Sequence, residues 1–301
     1  MIRLAVRVHA AQAERVLAEL LELAPAGVEE VHGEGGTVEY AVYGAPGELP
    51  QLPDVRAVAG EALVEVSTSE IADDWHERWR QFHRPVLIAP PSRPHLARAL
   101  VPSLRIRPPW EQAADERGGE LADIVIDPGQ AFGTGGHAST RLCLELLLAL
   151  AAGTPERGAL LDVGTGSGVL AIAASKLGFA PVLALDHERE SVHAANENAA
   201  ANRTDVVVER ADLRTDALTW PAQPQQTVVL ANLLRPLLLE LAVRLPQAPA
   251  ALIAAGLLTD EVDEVAGAFA DTVGLRERER RERGEWAAVW LTRVGAPAPA
   301  P

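Results

Sequence analysis

The run Leu160-Leu161-Asp162-Val163-Gly164-Thr165-Gly166-Ser167-Gly168-Val169-Leu170 constrains the fold more than any other stretch of the 301 residues. An apolar strand ends beside a carboxylate, three alternate glycines follow, and an apolar helical pattern opens at once. Glycine lacks a Cβ, so the backbone can turn tightly and a ligand can approach it closely. The free N–H groups at the helix start add a mildly positive end. A bland strand–helix turn shares part of this pattern. Alternating strands and helices around the run place it in a parallel α/β sheet, where ligands sit at the carboxyl ends of the strands.

That alternation spans residues 121–294. Strands are expected at 122–126, 159–163, 182–185, 206–208, 227–231, 251–255, 273–277 and 287–292, and helices at 140–150, 169–177, 188–202, 236–244 and 260–269. Residues 1–66 read as a separate small α/β domain. Leu4, Val6 and Val8 alternate as in a half-buried strand, and Val16, Leu17, Leu20, Leu21 and Leu23 recur at helical spacing. Two strands at 28–31 and 37–42 flank the hairpin signal His32-Gly33-Glu34-Gly35-Gly36, Pro50 and Pro53 break the chain, and a last strand is expected at 63–66. The order suggests a ferredoxin-like βαββαβ sandwich whose second helix is poorly signed. Residues 67–120 read as a proline-punctuated linker whose tryptophans, Trp75, Trp79 and Trp110, pack on the following domain. Residues 295–301 read as a disordered tail.

The glycine spacing departs from the dinucleotide fingerprint G-x-G-x-x-G, since the third glycine comes one residue early. With Asp162 just before it, the loop suits a ligand carrying an amino-acid tail, such as S-adenosylmethionine. The next strand ends at Asp186, where a carboxylate can accept both hydroxyl hydrogens of a ribose. Asp212, after the third strand, can meet an adenine amino group or serve as a surface cap. Asn232, just past the strand Val229-Leu230-Ala231, brings an acceptor and two donors to the sheet edge; its competing role is a helix N-cap ahead of Pro236. Upstream, Asp127-Pro128-Gly129-Gln130-Ala131-Phe132-Gly133-Thr134-Gly135-Gly136-His137-Ala138-Ser139-Thr140 forms a glycine-rich loop before a helix. His137 there is either an acid/base or, in the plainer reading, a hydrogen-bonding partner at the helix start.

The formal charge of −15 disfavours a grip on nucleic-acid phosphates and favours a basic partner, although charge of this sign also serves plain solubility. One cysteine, Cys143, excludes an internal disulfide and a multi-cysteine metal site, and no metal is expected. Charge-free apolar runs stop short of a membrane span, and the first residues alternate too strictly for a signal peptide. A cytoplasmic monomer without direct nucleic-acid or membrane binding is the expectation.

Taken together, Asp-Pro-Gly-x-Ala-Phe-Gly-Thr-Gly at 127–135, the Asp162–Gly168 loop, Ala-Asn-Leu-Leu at 231–234 and Gly-Glu-Trp at 284–286 resemble PrmA, the methyltransferase family acting on large-subunit ribosomal protein eleven. The stretches Asp74-Trp75 to Phe82-His83 and Arg107-Pro108-Pro109-Trp110-Glu111 extend the resemblance across nearly the whole chain. It implies a class I S-adenosylmethionine-dependent methyltransferase domain with a Rossmann-like doubly wound sheet, preceded by a substrate-recognition domain at 1–66. The implied activity is N-methylation of lysine side chains or the N-terminus of that ribosomal protein, a basic partner. Family cofactor contacts carry over to Thr140, Gly164, Asp186 and Asn232; Gly166 and Phe132 join them as cofactor-binding candidates, and Asn232 is the catalytic candidate. The chain departs from the family pattern at Gly136, Ala138, Ser139, Thr227, Leu233 and Arg235, changes that bear on the substrate. Methylation of another protein or a small amine, nicotinamide-dependent hydride transfer and non-catalytic cofactor binding are the competing functions.

Overall fold

A computed structural model of the chain describes residues 2–13, 15–17, 20, 28–32, 36–44, 49–50, 52–70, 84–90, 101–114, 118–128, 135–154 and 157–293. It divides into two compact units, residues 1–82 and 83–301.

In the first unit, β1 (Ile2–His9), β2 (Glu29–His32), β3 (Thr37–Gly44) and β4 (Leu63–Glu70) form one antiparallel sheet in the order β2-β3-β1-β4. Residues 13, 15–17 and 20 are helical between β1 and β2, and α1 (Leu52–Ala59) lies between β3 and β4. This is the ferredoxin-like order. Leu4, Val6 and Val8 alternate onto the inner face and pack with Val16, Leu20, Tyr40, Val55 and Ala59. Pro53 does not break α1, because it occupies the first turn, where a missing N–H costs the helix nothing. On the other side of β1, Arg3 and Arg7 share the carboxylate of Glu39 at 2.5 and 2.8 Å. β4 continues to Glu70, past the boundary expected at residue 66. Leu21, Leu23, Trp75 and Trp79 lie outside the described residues.

The second unit holds two sheets. β5 (Val86–Ile88), β6 (Ser103–Arg107) and β7 (Leu121–Val125) form the smaller one, with β5 antiparallel and β7 parallel to β6. The sequence places 122–126 among the strands of the main parallel sheet; the structure pairs that segment with β6 instead. Its apolar pattern specifies a strand but not a neighbour. The neighbour is fixed by charge: Asp123 of β7 accepts from Arg107 Nε at 2.6 Å and Arg105 Nη1 at 2.9 Å, both on β6.

The main sheet contains β8 (Ala159–Val163), β9 (Val182–Asp186), β10 (Val206–Arg210), β11 (Thr227–Asn232), β12 (Ala251–Leu258), β13 (Leu275–Arg283) and β14 (Trp286–Arg293), ordered β10-β9-β8-β11-β12-β14-β13. The first five in that order run parallel, and β14 is antiparallel to both of its neighbours. The order reverses between β8 and β11, which creates a crevice at their carboxyl ends. Strands covered on both faces read as continuous apolar runs, as Leu160-Leu161 and Val228-Val229-Leu230-Ala231 do. Leu160 and Leu230 join one core with α2 (Ala138–Gly153), α3 (Val169–Lys176) and the smaller sheet. Leu161 and Val229 join the opposite core with α5 (Arg235–Arg244) and α6 (Val262–Val273). Between β9 and β10 runs α4 (Arg189–Ala201). This doubly wound arrangement is the class I S-adenosylmethionine-dependent methyltransferase fold.

β13 starts later than expected. Gly274, at φ +74°, caps α6 in the left-handed conformation, so Val273 belongs to the helix and the strand begins at Leu275. The strand itself, Leu-Arg-Glu-Arg-Glu-Arg-Arg-Glu-Arg, is charged on both faces and carries no alternation to announce it.

Candidate functional site

Each glycine of the 164–168 loop has positive φ: +74°, +53° and +83° for Gly164, Gly166 and Gly168. Side chains would be strained at all three. At Gly164 a Cβ would also have to displace the tip of the Leu233 side chain, which rests on the bare backbone of Gly164. The Gly164 and Thr165 amides donate to the carbonyl of Leu185 at 2.8 and 2.9 Å, which ties the loop to the end of β9. Gly168 caps α3 and abuts Ala195 of α4, whose Cα lies 3.2 Å from the position a Cβ would take.

Asp162, fully buried, accepts from the Thr165 hydroxyl at 2.7 Å through Oδ2. Its Oδ1 is buried without a partner of hydrogen-bonding geometry among the described residues. Its carboxyl is pushed up to about 7, chiefly by burial and also by the nearby Asp186 charge, against the lowering effects of the Thr165 hydroxyl and the Ala171 amide. Asp186 closes β9 and accepts from the Gly166 amide at 2.9 Å and the Glu188 amide at 3.1 Å. An ionised carboxylate has about four lone-pair sites, so acceptor capacity remains for ligand hydroxyls.

Gly164 and Asp186 border a cavity of about 440 Å³ at the sheet edge, lined also by Leu185, Leu213, Leu218 and Leu233 among others. Its size suits a small ligand held by apolar walls and a few polar anchors. Asp212 lines it too, but its Oδ1 accepts from the Arg214 amide at 2.9 Å and from the guanidinium at 3.2 Å. The Arg214 amide and guanidinium hold the Asp212 carboxyl below its usual range. Asp212 therefore organises a turn on the cavity wall.

Asn232 ends β11 beyond the crevice. Its Nδ2 donates to Thr140 Oγ1 at 3.2 Å, joining the sheet edge to the first turn of α2. Its Oδ1 accepts no hydrogen bond among the described residues. Leu234, not Asn232, is the N-cap of α5, so the helix-cap alternative for Asn232 falls. His137 is the N-cap of α2: its Nδ1 accepts from the Ser139 amide at 3.3 Å and lies 2.8 Å from the Ser139 hydroxyl. Burial lowers the His137 pKa, which keeps the ring neutral as a cap must be, and the ring packs edge-on against Trp286 at 4.7 Å. Thus Gly164 and Asp186 share one cavity rim, the Gly166 amide binds Asp186 from within the loop, and Thr140 and Asn232 meet one another at the end of β11. Leu233 follows Asn232 and covers Gly164, linking the two groups. Phe132 lies outside the described residues.

The sequence reading overlooked Gly256. It has φ +83°, and a Cβ there would lie 2.6 Å from the Leu233 carbonyl oxygen and 3.1 Å from Asn232 Oδ1. The pairing of β12 with β14 slips between Ala255 and Leu257, so Gly256 is a bulge that lets the Asn232–Leu233 corner sit against bare backbone. A lone glycine inside the apolar run Ala254-Ala255-Gly256-Leu257 is the available signal. Chemically, the site offers glycine backbone, a ribose-competent carboxylate, apolar walls and, next to them, an Asn232 amide oxygen that accepts nothing from the described residues.

The family profile of ribosomal protein L11 methyltransferase (PrmA) matches residues 52–294. The ribosomal protein L11 methyltransferase of Heliobacterium modesticaldum is 36% identical over 232 residues, covering 75% of this chain and 66% of that protein. Its counterpart from Sorangium cellulosum is 32% identical over 273 residues, or 88% of this chain and 81% of the relative. The crystal structure of ribosomal protein L11 methylase from Lactobacillus delbrueckii subsp. bulgaricus matches with a TM-score of 0.55 at 30% identity, covering 69% of this chain and 98% of that one. With the motifs, the strand order and these relatives in agreement, the chain belongs to the ribosomal protein L11 methyltransferase family.

Proposed function

We propose that this protein transfers methyl groups from S-adenosylmethionine to amino groups of ribosomal protein L11, on lysine side chains or the N-terminus. The observation that carries the reading is the pairing of a glycine-and-carboxylate rim with the Asn232–Thr140 corner at one sheet edge. The residues fit the cofactor. Gly164 exposes backbone to its amino-acid end, Gly166 steadies the Asp186 carboxylate whose remaining acceptors face the ribose, and Leu185, Leu213 and Leu233 provide an apolar bed for the base.

When bound, the cofactor supplies a methyl group activated by its sulfonium. What remains for the chain is alignment and exclusion of water. An attacking amine must be neutral, because an ammonium has no free lone pair; an apolar surround lowers its pKa. Asn232 Oδ1 would accept one amine N–H and so orient the attacking amine, while Thr140 holds the amide group from its other end. The proton released after transfer leaves to solvent. The ferredoxin-like unit, with its own core and no reactive group of the transfer site, recruits the ribosomal protein, and the net charge of −15 favours that basic partner.

The test is methyl transfer from isotopically labelled S-adenosylmethionine to purified L11, with mass spectrometry locating the label. Incorporation on amino nitrogens is expected. Absence of transfer, with the cofactor bound, would overturn the substrate assignment.

A further inference from the structure

Among the buried polar side chains, Asn198 of α4 and Asn202, the C-cap of that helix, take no part in the proposed transfer chemistry. Asn198 and Asn202 are only 3% and 8% exposed. Together with Ala195 and Ala199 they occupy positions i, i+3, i+4 and i+7, a single helical face turned into the protein. Two buried amides on one helix are costly unless satisfied. Both are satisfied, by different things.

Asn202 holds β7. Its Oδ1 accepts from the Val125 amide at 2.8 Å and its Nδ2 donates to the Val125 carbonyl at 2.6 Å, mimicking a ladder pair at the strand end. Asn198 does something else: its Nδ2 donates to the Ser167 carbonyl at 2.8 Å, and its Oδ1 accepts from the Asp127 amide at 3.0 Å. One side chain thereby clamps the middle of the 164–168 glycine loop to the residue that leaves β7. Ala195, one turn earlier, meets Gly168 at the contact already described, so α4 fixes this loop at two consecutive residues. The loop is also where the Gly166 amide reaches Asp186.

We propose that Asn198 is a positioning residue for the cofactor site. It sets the height of the glycine loop against α4 and couples it to the backbone at Asp127. Asn202, equally buried and one turn away, is a structural clamp only. The inference rests on the cofactor reading of the glycine loop given above.

The test compares the full-length Asn198→Ala and Asn202→Ala proteins with the parent. S-adenosylmethionine affinity is measured by calorimetry, and amide hydrogen exchange of residues 164–169 and of Asp127 is measured without cofactor. Asn198→Ala should raise the cofactor Kd tenfold or more and speed exchange in both segments together. Asn202→Ala should lower Tm and speed exchange at Val125, with Kd within twofold of the parent. Should Asn198→Ala fail to fold, Asn198→Ser, which retains a small polar group, takes its place with the same expectations. An Asn198 variant that exchanges and binds like the parent overturns the inference, as does an equal loss of affinity in both single variants. A parent protein that binds no S-adenosylmethionine overturns the cofactor reading, whereas the exchange comparison still decides whether Asn198 couples the two segments.

Discussion

Replacing Gly256 with alanine places one methyl group under the corner that carries Asn232. The cost has two parts. A residue with a Cβ pays about 1–2 kcal/mol for the left-handed backbone that Gly256 adopts at φ +83°. The new carbon would also sit 2.6 Å from the Leu233 carbonyl oxygen and 3.0 Å from its carbon, backbone atoms with no rotamer to escape into. Overpacking of that kind adds about 1–3 kcal/mol. The sum, about 2–5 kcal/mol, is a large share of the about 5–15 kcal/mol typical of a folded domain, so the variant folds but melts earlier. Relief comes by pushing Leu233 away, and with it Asn232 Oδ1, 3.1 Å from the added carbon. Single-turnover methyl transfer at saturating cofactor should therefore drop by at least tenfold, while the cofactor Kd, set mainly by the β8–β9 side, changes by less. Urea unfolding gives the stability and rapid-quench kinetics the rate. A Gly256→Ala protein that loses under about 1 kcal/mol and turns over like the parent would refute both the strain estimate and the place of Asn232 in the chemistry.

Asp186→Ala should weaken S-adenosylmethionine binding by about 1–3 kcal/mol through lost charge-assisted hydrogen bonds; calorimetry showing parental affinity would remove Asp186 from the ribose contact. Asn232→Ala should lower kcat more than it weakens cofactor binding, because the lost contact tightens in the transition state, and a matched loss in both would make Asn232 a cofactor ligand only. Asp162 gives a pH signature. Its folded carboxyl titrates at about 7, whereas the unfolded chain releases that proton near ~4, so stability falls as pH rises through this window, by at most ~1.4 kcal/mol per unit. Asp162→Asn should flatten the fall seen in thermal melts between these limits, and parallel curves for the two proteins would contradict the buried, protonated state.

Much of the site was legible because it depends on local pattern. Asp162, Asp186 and Asn232 lie at the carboxyl ends of apolar strands and the alternate glycines follow one, and a strand's carboxyl end is visible in sequence without knowledge of its neighbours. Elements that depend on partners were not. The apolar run at 121–125 announces a strand, yet its place beside β6 is decided by Arg105 and Arg107 reaching Asp123 across the sheet. The helix end at Val273 hinges on one left-handed glycine, and α1 tolerates Pro53 because it falls in the first turn. Asn198 and Asn202 looked like ordinary residues of an amphipathic helix, since an asparagine's worth as a clamp lies in backbone groups some 31 to 77 residues away in the chain. Gly256 carried a signal of its own, a glycine interrupting an apolar strand, but its meaning lies in the approach of Leu233.

The charged margin of the main sheet has a consequence for how the protein behaves in a crowd. β13 is an outermost strand, and outermost strands expose the unpaired amides and carbonyls through which sheets of different molecules zip together. Here the row is fenced. Arg280 is engaged by Asp263 and Glu277, Arg281 and Arg283 reach across to Glu145, and Arg278 lies over the ring of Trp290. A foreign strand docking along β13 would have to strip these pairs and bury their charges, a desolvation cost that its hydrogen bonds do not recover. A length of chain with almost no apolar side chains thus does the work of a guard rail, keeping an otherwise adhesive border from becoming a seed for aggregation.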